Sequence, residues 1–150
     1  MIEIKHISEV VEHVEIISKW LHSEWGNNNN YEFFHSIVSH SLNKDNLPQT
    51  FVALKNNQPV GTIGIWRCDM VSRQDLYPWI SALYVVPEQR SLGLGSMLQE
   101  AALAHTKDLG YNKVYLYSDI ENYYEKTGWE VIGKGITFSG EYDQIFVKHL

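Results

Sequence analysis

The segment Leu83-Tyr84-Val85-Val86-Pro87-Glu88-Gln89-Arg90-Ser91-Leu92-Gly93-Leu94-Gly95-Ser96 passes from an apolar strand pattern, through a turn, into a helical pattern. Gly93 and Gly95 carry no Cβ, so the backbone there is free to take positive φ and let a ligand approach closely. The first amides of the following helix have no intrahelical partner and sit at the positive end of its dipole. Such a turn suits a phosphate or pyrophosphate, and Arg90 adds a cation at its mouth. Two common phosphate motifs are absent: there is no G-x-x-x-x-G-K-[ST], and the third glycine of G-x-G-x-x-G is replaced by Leu98. A ligand-free strand-to-helix turn would use the same glycine pair. The longer pattern Q-R-x-x-G-x-G is what carries information.

Other chemically capable side chains are scattered. His6, His13, His22, His35, His40, His105 and His149 show no H-x-x-x-H or H-E-x-x-H spacing, so no metal site is expected. Cys68 has Asp69 beside it and no basic neighbour to lower its pKa, which argues against a nucleophile. As the single cysteine it cannot close an internal disulfide, so nothing points to secretion. The N-terminus alternates polar and apolar residues with no signal-peptide core, and no apolar run approaches a membrane span. A soluble, cytoplasmic single domain over 1–150 is therefore expected. Twelve Lys and Arg against eighteen Asp and Glu leave a net charge of −6. That balance disfavours nucleic-acid binding, which depends on neutralising phosphates, and suits a positively charged partner such as an amine.

Periodicity orders the elements that must position these residues. Residues 2–7 alternate as a strand, and Ser8 is placed to cap a helix with Val10, Val14, Ile17 and Leu21 on its apolar face. A second helix is expected over 31–43. The β-rich runs 50–54 and 60–66 flank an Asn-Asn turn and read as a hairpin. The apolar run 79–86 reads as a buried strand, 94–109 as a helix stopped by Gly110, 114–117 as a strand, 121–127 as a short helix, and 129–138 and 142–148 as strands. The order β-α-α-β-β-β-α-β-α-β-β is that of a mixed α/β layer fold.

Two blocks carry a resemblance. Gln89-Arg90-Ser91-Leu92-Gly93-Leu94-Gly95, following the strand Ile80–Val85, resembles the acyl-CoA signature of the GNAT superfamily of N-acetyltransferases. Tyr123-Tyr124-Glu125-Lys126-Thr127-Gly128-Trp129 is similar to that family's [FY]-Y-E-K-x-G-[FW] segment, and one helix and one strand separate the blocks, as in the family. The resemblance implies a central mixed, mostly antiparallel sheet with helices on both faces, and acetyl-CoA as co-substrate without a metal. It implies that Leu83, Tyr84 and Val85 pair with the pantetheine arm, that the amides from Arg90 to Ser96 (Arg90, Ser91, Leu92, Gly93, Leu94, Gly95, Ser96) receive the pyrophosphate, with Gln89 part of the same signature, and that the Val85 amide serves as oxyanion donor.

Tyr124 matches the family's general acid, which protonates the departing thiolate, although core packing would equally use an aromatic there; Tyr123 is expected in the core. Asn122 has two readings, orienting the pantetheine arm or capping the short helix. Many members carry a glutamate before the glycine turn, where this chain has Ser81, Ala82 and Leu83. Asp75 and Glu24 are the substitute bases considered, each also readable as a surface carboxylate. Trp25, beside Glu24 and before Gly26, is placed to bind a cationic acceptor through its π face. The expected reaction is direct attack of a small-molecule amine, amino acid or amino-sugar on the thioester. Acetylation of a protein N-terminus or lysine is the alternative, as is a CoA-binding module without turnover. The C-terminal strands could pair across a homodimer.

Overall fold

Asn56 and Asn57 both take positive φ, 50° and 66°, which turns the chain back on itself with the twist that two paired strands require. The rest of the sheet is laid on either side of this hairpin. A computed structural model describes all residues from Met1 to Leu150. Its strands are β1 (Ile2–His6), β2 (Gln49–Lys55), β3 (Gln58–Trp66), β4 (Trp79–Val85), β5 (Lys113–Ser118), β6 (Glu130–Ile136) and β7 (Tyr142–His149). Its helices are α1 (Val14–Trp25), α2 (Tyr31–Ser39) and α3 (Leu94–Asp108). The strands form one sheet in the order β1-β2-β3-β4-β5-β7-β6, antiparallel everywhere except between β4 and β5.

Side chains alternate across each strand, so the two faces build separate cores. On one face Leu94, Leu98 and Ala102 of α3 pack on Ala53, Ile63, Ile65, Ile80, Val114, Leu116 and Phe146. On the other, Ile17 and Leu21 of α1 and Phe34 and Val38 of α2 pack on Val52 and Leu54. A side chain such as Leu98, fully buried, stabilises the fold by about 1.5–3 kcal/mol. The fold is the mixed, mostly antiparallel sheet with helices on both faces that the element order implies. No helix is long and apolar enough to cross a membrane. Strand β6 is a sheet edge and leaves Val131, Ile132 and Ile136 exposed, with Phe138 beyond it.

Three boundaries differ from the periodicity. Ser8 does not cap α1. Instead the Ser8 amide donates to Nδ1 of His6 at 3.1 Å and the His6 amide donates to Glu9 at 3.2 Å, a reciprocal cap on the 3₁₀ turn Ile7–Glu9. Ile7 and Val10 are both buried, and a three-residue period keeps them in line where an α-helix would swing them apart. α2 stops at Ser39 because the Ser39 and Ser41 hydroxyls donate to the carbonyls of His35 and Ile37, leaving Leu42 exposed outside the helix. The helix over 121–127 shrinks to the 3₁₀ turn Tyr124–Thr127, since Asn122 has φ 57° and breaks any earlier start.

Two of the scattered histidines meet at Gln49. Nε2 of His6 and Nε2 of His105 lie 2.7 and 2.8 Å from the Gln49 side-chain oxygen. The Gln49 amide group donates to the carbonyls of Asn43, Asn46 and Pro48, which orients that oxygen as the acceptor. Each Nε2 therefore carries the hydrogen, and Nδ1 of His6 must stay bare to accept from Ser8. Burial lowers both pKa values, with the two rings also opposing each other's charge at His6. The folded pKa values lie below the unfolded one, so the folded state is at full strength above pH ~6.5 and loses stability as pH falls through the folded values. Urea midpoints should drop between pH 7.5 and pH 5.5, and the drop should shrink in His105→Gln. An equal drop in that variant would remove the ring from the account.

Candidate functional site

The contact between β4 and β5 is brief. Trp79 pairs with Tyr115, the Tyr115 amide donates to Pro78 at 3.0 Å, and no further register is made. The cause lies in β4. Its pairing with β3 shifts between Ser81–Gly64 and Tyr84–Thr62, so β4 holds one more residue than β3 across the interval. Ala82 takes φ 54° there. A bulge of this kind bends its strand, and the ends of β4 and β5 diverge into a wedge. The Val86 amide donates to Val60 at 2.9 Å, which makes the neighbouring Gly61–Val85 pair the non-hydrogen-bonded kind. The Val85 N–H and C=O consequently face away from β3, into the wedge.

At the mouth of the wedge the chain turns into α3. Ser91 and Gly93 take φ 64° and 86°, and successive amides in such turns form an anion-binding concavity. The amides of Ser91, Leu92, Gly93, Leu94, Gly95 and Ser96 donate to no group of the protein; the first bond of the helix runs from Met97 to Gly93 at 3.1 Å. A methyl group added at Gly93 would meet no atom within 4 Å, and one at Gly95 would meet only Leu83 Cδ2, at 4.0 Å. The concavity is open, and Leu94, buried against the core, anchors its floor. Only one glycine is used for conformation: Gly95 lies inside α3 with ordinary φ, and Ser91 supplies the other positive value.

The rim is cationic. Nε of Arg90 donates to the Val85 carbonyl at 2.8 Å, and its guanidinium lies 5.5 Å from the Tyr84 ring centre. Lys55, at the end of β2, donates to Gln89 at 3.4 Å and adds a second cation that the motif does not announce. Tyr84 also meets Trp20 of α1 at 5.4 Å, while Leu83 and Val85 pack toward the α3 core.

Tyr124 and Tyr123 exchange the expected roles in packing. Tyr124 lies against the core, with ring centres 5.4 Å from Phe146 and 6.3 Å from Trp129. Tyr123 is 47% exposed, so it is not a core residue. Burial raises the Tyr124 pKa, Tyr123 adds to the rise, and the Ser118 hydroxyl opposes it. Ser118 ends β5 on the open side of the wedge, so Tyr124 packs with its ring and presents its hydroxyl at the gap. Asn122 is exposed and makes no capping bond; Tyr123 holds the cap position without one either.

The proposed bases and acceptor contacts fare differently. Asp75 is exposed and gripped by Arg73 through bonds of 3.0 and 2.9 Å, which hold its carboxyl below the usual range. A carboxylate stabilised in its charged form is a poor proton acceptor, which argues against Asp75 as the base. Glu24 and Trp25 are exposed at the end of α1, Trp25 by 50%, with no cation or aromatic partner.

One carboxylate with a raised pKa is Asp69, in the loop before β4, which burial pushes up to about 6. Its local signal is slight, because only the sheet order brings the loop, β4 and β5 together.

A profile of the Acetyltransferase (GNAT) family matches residues 12–129. No curated protein matches the chain. Solved structures of similar fold include an aminoglycoside 6'-N-acetyltransferase complexed with coenzyme A, at 16% identity and TM-score 0.73 over 98% of this chain and 96% of that one. The NatC complex bound to Gag peptide and CoA is similar at 16% identity and TM-score 0.73, over 99% and 98% of the two chains. N-acetylglutamate synthase from Neisseria gonorrhoeae, complexed with coenzyme A and N-acetyl-glutamate, is similar at 13% identity and TM-score 0.66, over 100% of this chain and 35% of that one. With the profile running from just before α1 to Trp129 across both the glycine turn and the tyrosine block, the chain belongs to the GNAT family of acetyltransferases.

Proposed function

We propose that residues 1–150 form a single acetyl-CoA-dependent N-acetyltransferase domain that acetylates the primary amine of a small molecule by direct attack on the thioester. The observation that carries this reading is the row of unpartnered amides from Ser91 to Ser96 at the mouth of a sheet wedge. An open anion cradle with Arg90 and Lys55 at its rim fits a diphosphate. The wedge behind it fits an extended arm that can bond to strand backbone. The Val85 N–H, facing the gap, would stabilise negative charge on the acyl oxygen, a contact type often worth 10²–10³ in rate. Tyr124 would protonate the leaving sulfur. The Cys68 thiol is pushed up in pKa by burial and by Asp69, which speaks against a covalent acetyl-enzyme on that residue. The free thiol of Cys68 fits a cytoplasmic location.

The test is release of free CoA from acetyl-CoA with a panel of aminoglycosides, amino acids, polyamines and peptides bearing a free N-terminus or lysine. At least one small amine should accelerate release well above hydrolysis. Acceleration by peptides alone would move the assignment to protein acetylation, and tight acetyl-CoA binding with no accelerating amine would overturn it.

A further inference from the structure

Arg90 stands between the cradle and the wedge. The 3₁₀ turn Pro87–Gln89 is closed by the Gln89 amide on Val86 at 2.9 Å and the Arg90 amide on Pro87 at 3.3 Å, and it folds the chain back toward the end of β4. The Arg90 side chain consequently reaches a residue five positions earlier: its Nε donates to the Val85 carbonyl at 2.8 Å. That carbonyl lies on the edge of β4 that faces the wedge, since the bond to β3 is made by Val86 and leaves Val85 turned away. The guanidinium also lies 5.5 Å from the centre of the Tyr84 ring, and Trp20 of α1 meets that ring at 5.4 Å. Arg90 is thus seated on two packed groups, a strand carbonyl and an aromatic face.

This seat lies on the path of the acyl donor. In acetyl-CoA an uncharged arm bearing amide N–H groups joins the thioester to the diphosphate. With the diphosphate on the amides of Ser91 to Ser96 and the thioester in the wedge, that arm passes Val85. An amide of the arm that leaves water there needs an acceptor on the strand, and the Val85 carbonyl is already taken by Arg90. The residue after Arg90 is the first of the cradle, so an anion held there offers the same guanidinium a second seat. The two seats compete for one side chain.

We infer that Arg90 is a latch that selects for the diphosphate: it covers the Val85 carbonyl until an anion in the cradle draws the guanidinium away, so thioesters of coenzyme A are preferred to thioesters on a pantetheine arm without a diphosphate. The inference rests on the N-acetyltransferase reading above and adds to it the chemical class of acyl donor. A diphosphate offsets the bond lost at Val85 with a charge-assisted bond of its own. A bare pantetheine arm offers the guanidinium nothing: either the bond from Arg90 to Val85 is broken without replacement, or the arm goes without its acceptor. An uncompensated cost placed against the wrong ligand discriminates as well as an added attraction for the right one. Only the difference between the two seats moves the side chain. Lys55 is a rim cation of another kind, its amine donating to the Gln89 side chain at 3.4 Å and to no strand carbonyl.

The test compares acetyl-CoA, acetyl-dephospho-CoA and S-acetylpantetheine as donors to the best amine of the panel, in wild type, Arg90→Ala and Lys55→Ala. Arg90 is exposed, with extended backbone at φ −73° and ψ 156°, so alanine should leave the urea midpoint unchanged. Arg90→Ala should lower kcat/KM for acetyl-CoA about tenfold, the worth of one charge-assisted bond. It should raise kcat/KM for S-acetylpantetheine about fivefold, because the exposed seat no longer has to be vacated. Competition by pantetheine against acetyl-CoA should show the same gain as a lower inhibition constant. Acetyl-dephospho-CoA keeps the diphosphate and should follow acetyl-CoA. Lys55→Ala should lower kcat/KM for acetyl-CoA without raising it for S-acetylpantetheine. A merely attractive rim charge does not produce the opposite signs expected of Arg90→Ala. S-acetylpantetheine turnover that falls or stays level in Arg90→Ala, an equal rise in Lys55→Ala, or acetyl-dephospho-CoA tracking S-acetylpantetheine each overturns the latch while leaving the enzyme reading intact. A wild type that transfers acetyl from none of the donors sinks the parent reading instead.

Discussion

Gly95→Val should reduce acetyl-CoA affinity at least 100-fold while leaving the folded protein as stable as before. Gly95 sits within the first turn of α3 with ordinary helical φ, so a side chain there meets no backbone strain. Its new Cβ would touch only Leu83 Cδ2, at a normal contact distance of 4.0 Å. Helix propensity even favours valine over glycine by a few tenths of a kcal/mol. What the branched side chain changes is the first turn of α3 beside Leu83, next to the free amides of Ser91 to Ser96. A diphosphate displaced from those donors loses several charge-assisted hydrogen bonds of ~1.5–3 kcal/mol each, and a 100-fold loss requires only ~2.7 kcal/mol.

Gly93→Val is the less clean experiment. Gly93 has φ 86°, where a side chain costs about 1–2 kcal/mol in strain. That variant should lose affinity and stability together. Calorimetric titration with acetyl-CoA and urea unfolding on the pair of variants separates the two effects. Unchanged affinity in Gly95→Val would mean that the turn is only a turn.

What the sequence made legible is what is chemically contiguous. The Gln89–Ser96 string carries its own turn, its own helix start and its own cation, so the cradle could be assigned without tertiary information. The Asn56-Asn57 hairpin and the apolar register of α3 are local in the same sense. The wedge is different. It depends on a bulge at Ala82, and alanine gives no hint of the positive φ it adopts. Had the residue been glycine, the break in β4 would have been suspected.

The carboxylates show the same limit from the other side. Asp75 stands next to β4 in sequence, and that proximity suggested it, but Arg73 two residues away takes up its charge. Asp69 lies farther off, and the burial that raises its carboxyl to about 6 exists only once its loop is packed. His6 and His105 likewise meet through Gln49, across a separation that no spacing rule spans. Local chemistry survives in a string of residues; long-range electrostatics does not.

Tyr124→Phe should lower kcat by about 100-fold and leave acetyl-CoA affinity within about threefold, because the ring and the hydroxyl of Tyr124 do separate jobs. The ring packs against Phe146 and Trp129, and phenylalanine keeps that packing. The hydroxyl, beside Ser118 at the open end of β5, is the only part removed. General acids contribute roughly 10²–10⁴, and the low end applies here. Burial has raised the phenol above its ordinary pKa of about 10, whereas a thiol titrates near 8.5. Proton transfer to the departing thiolate is therefore not downhill, and water can eventually replace it. The same elevation fixes the pH dependence. An acid with a raised pKa stays protonated to higher pH, so wild-type kcat should hold steady up to pH ~10 and decline only above it. The variant should be slow across the whole range, with no such decline. If kcat and acetyl-CoA affinity fall by equal factors in the variant, or the alkaline decline survives without the hydroxyl, Tyr124 is a packing residue and the proton reaches sulfur from elsewhere.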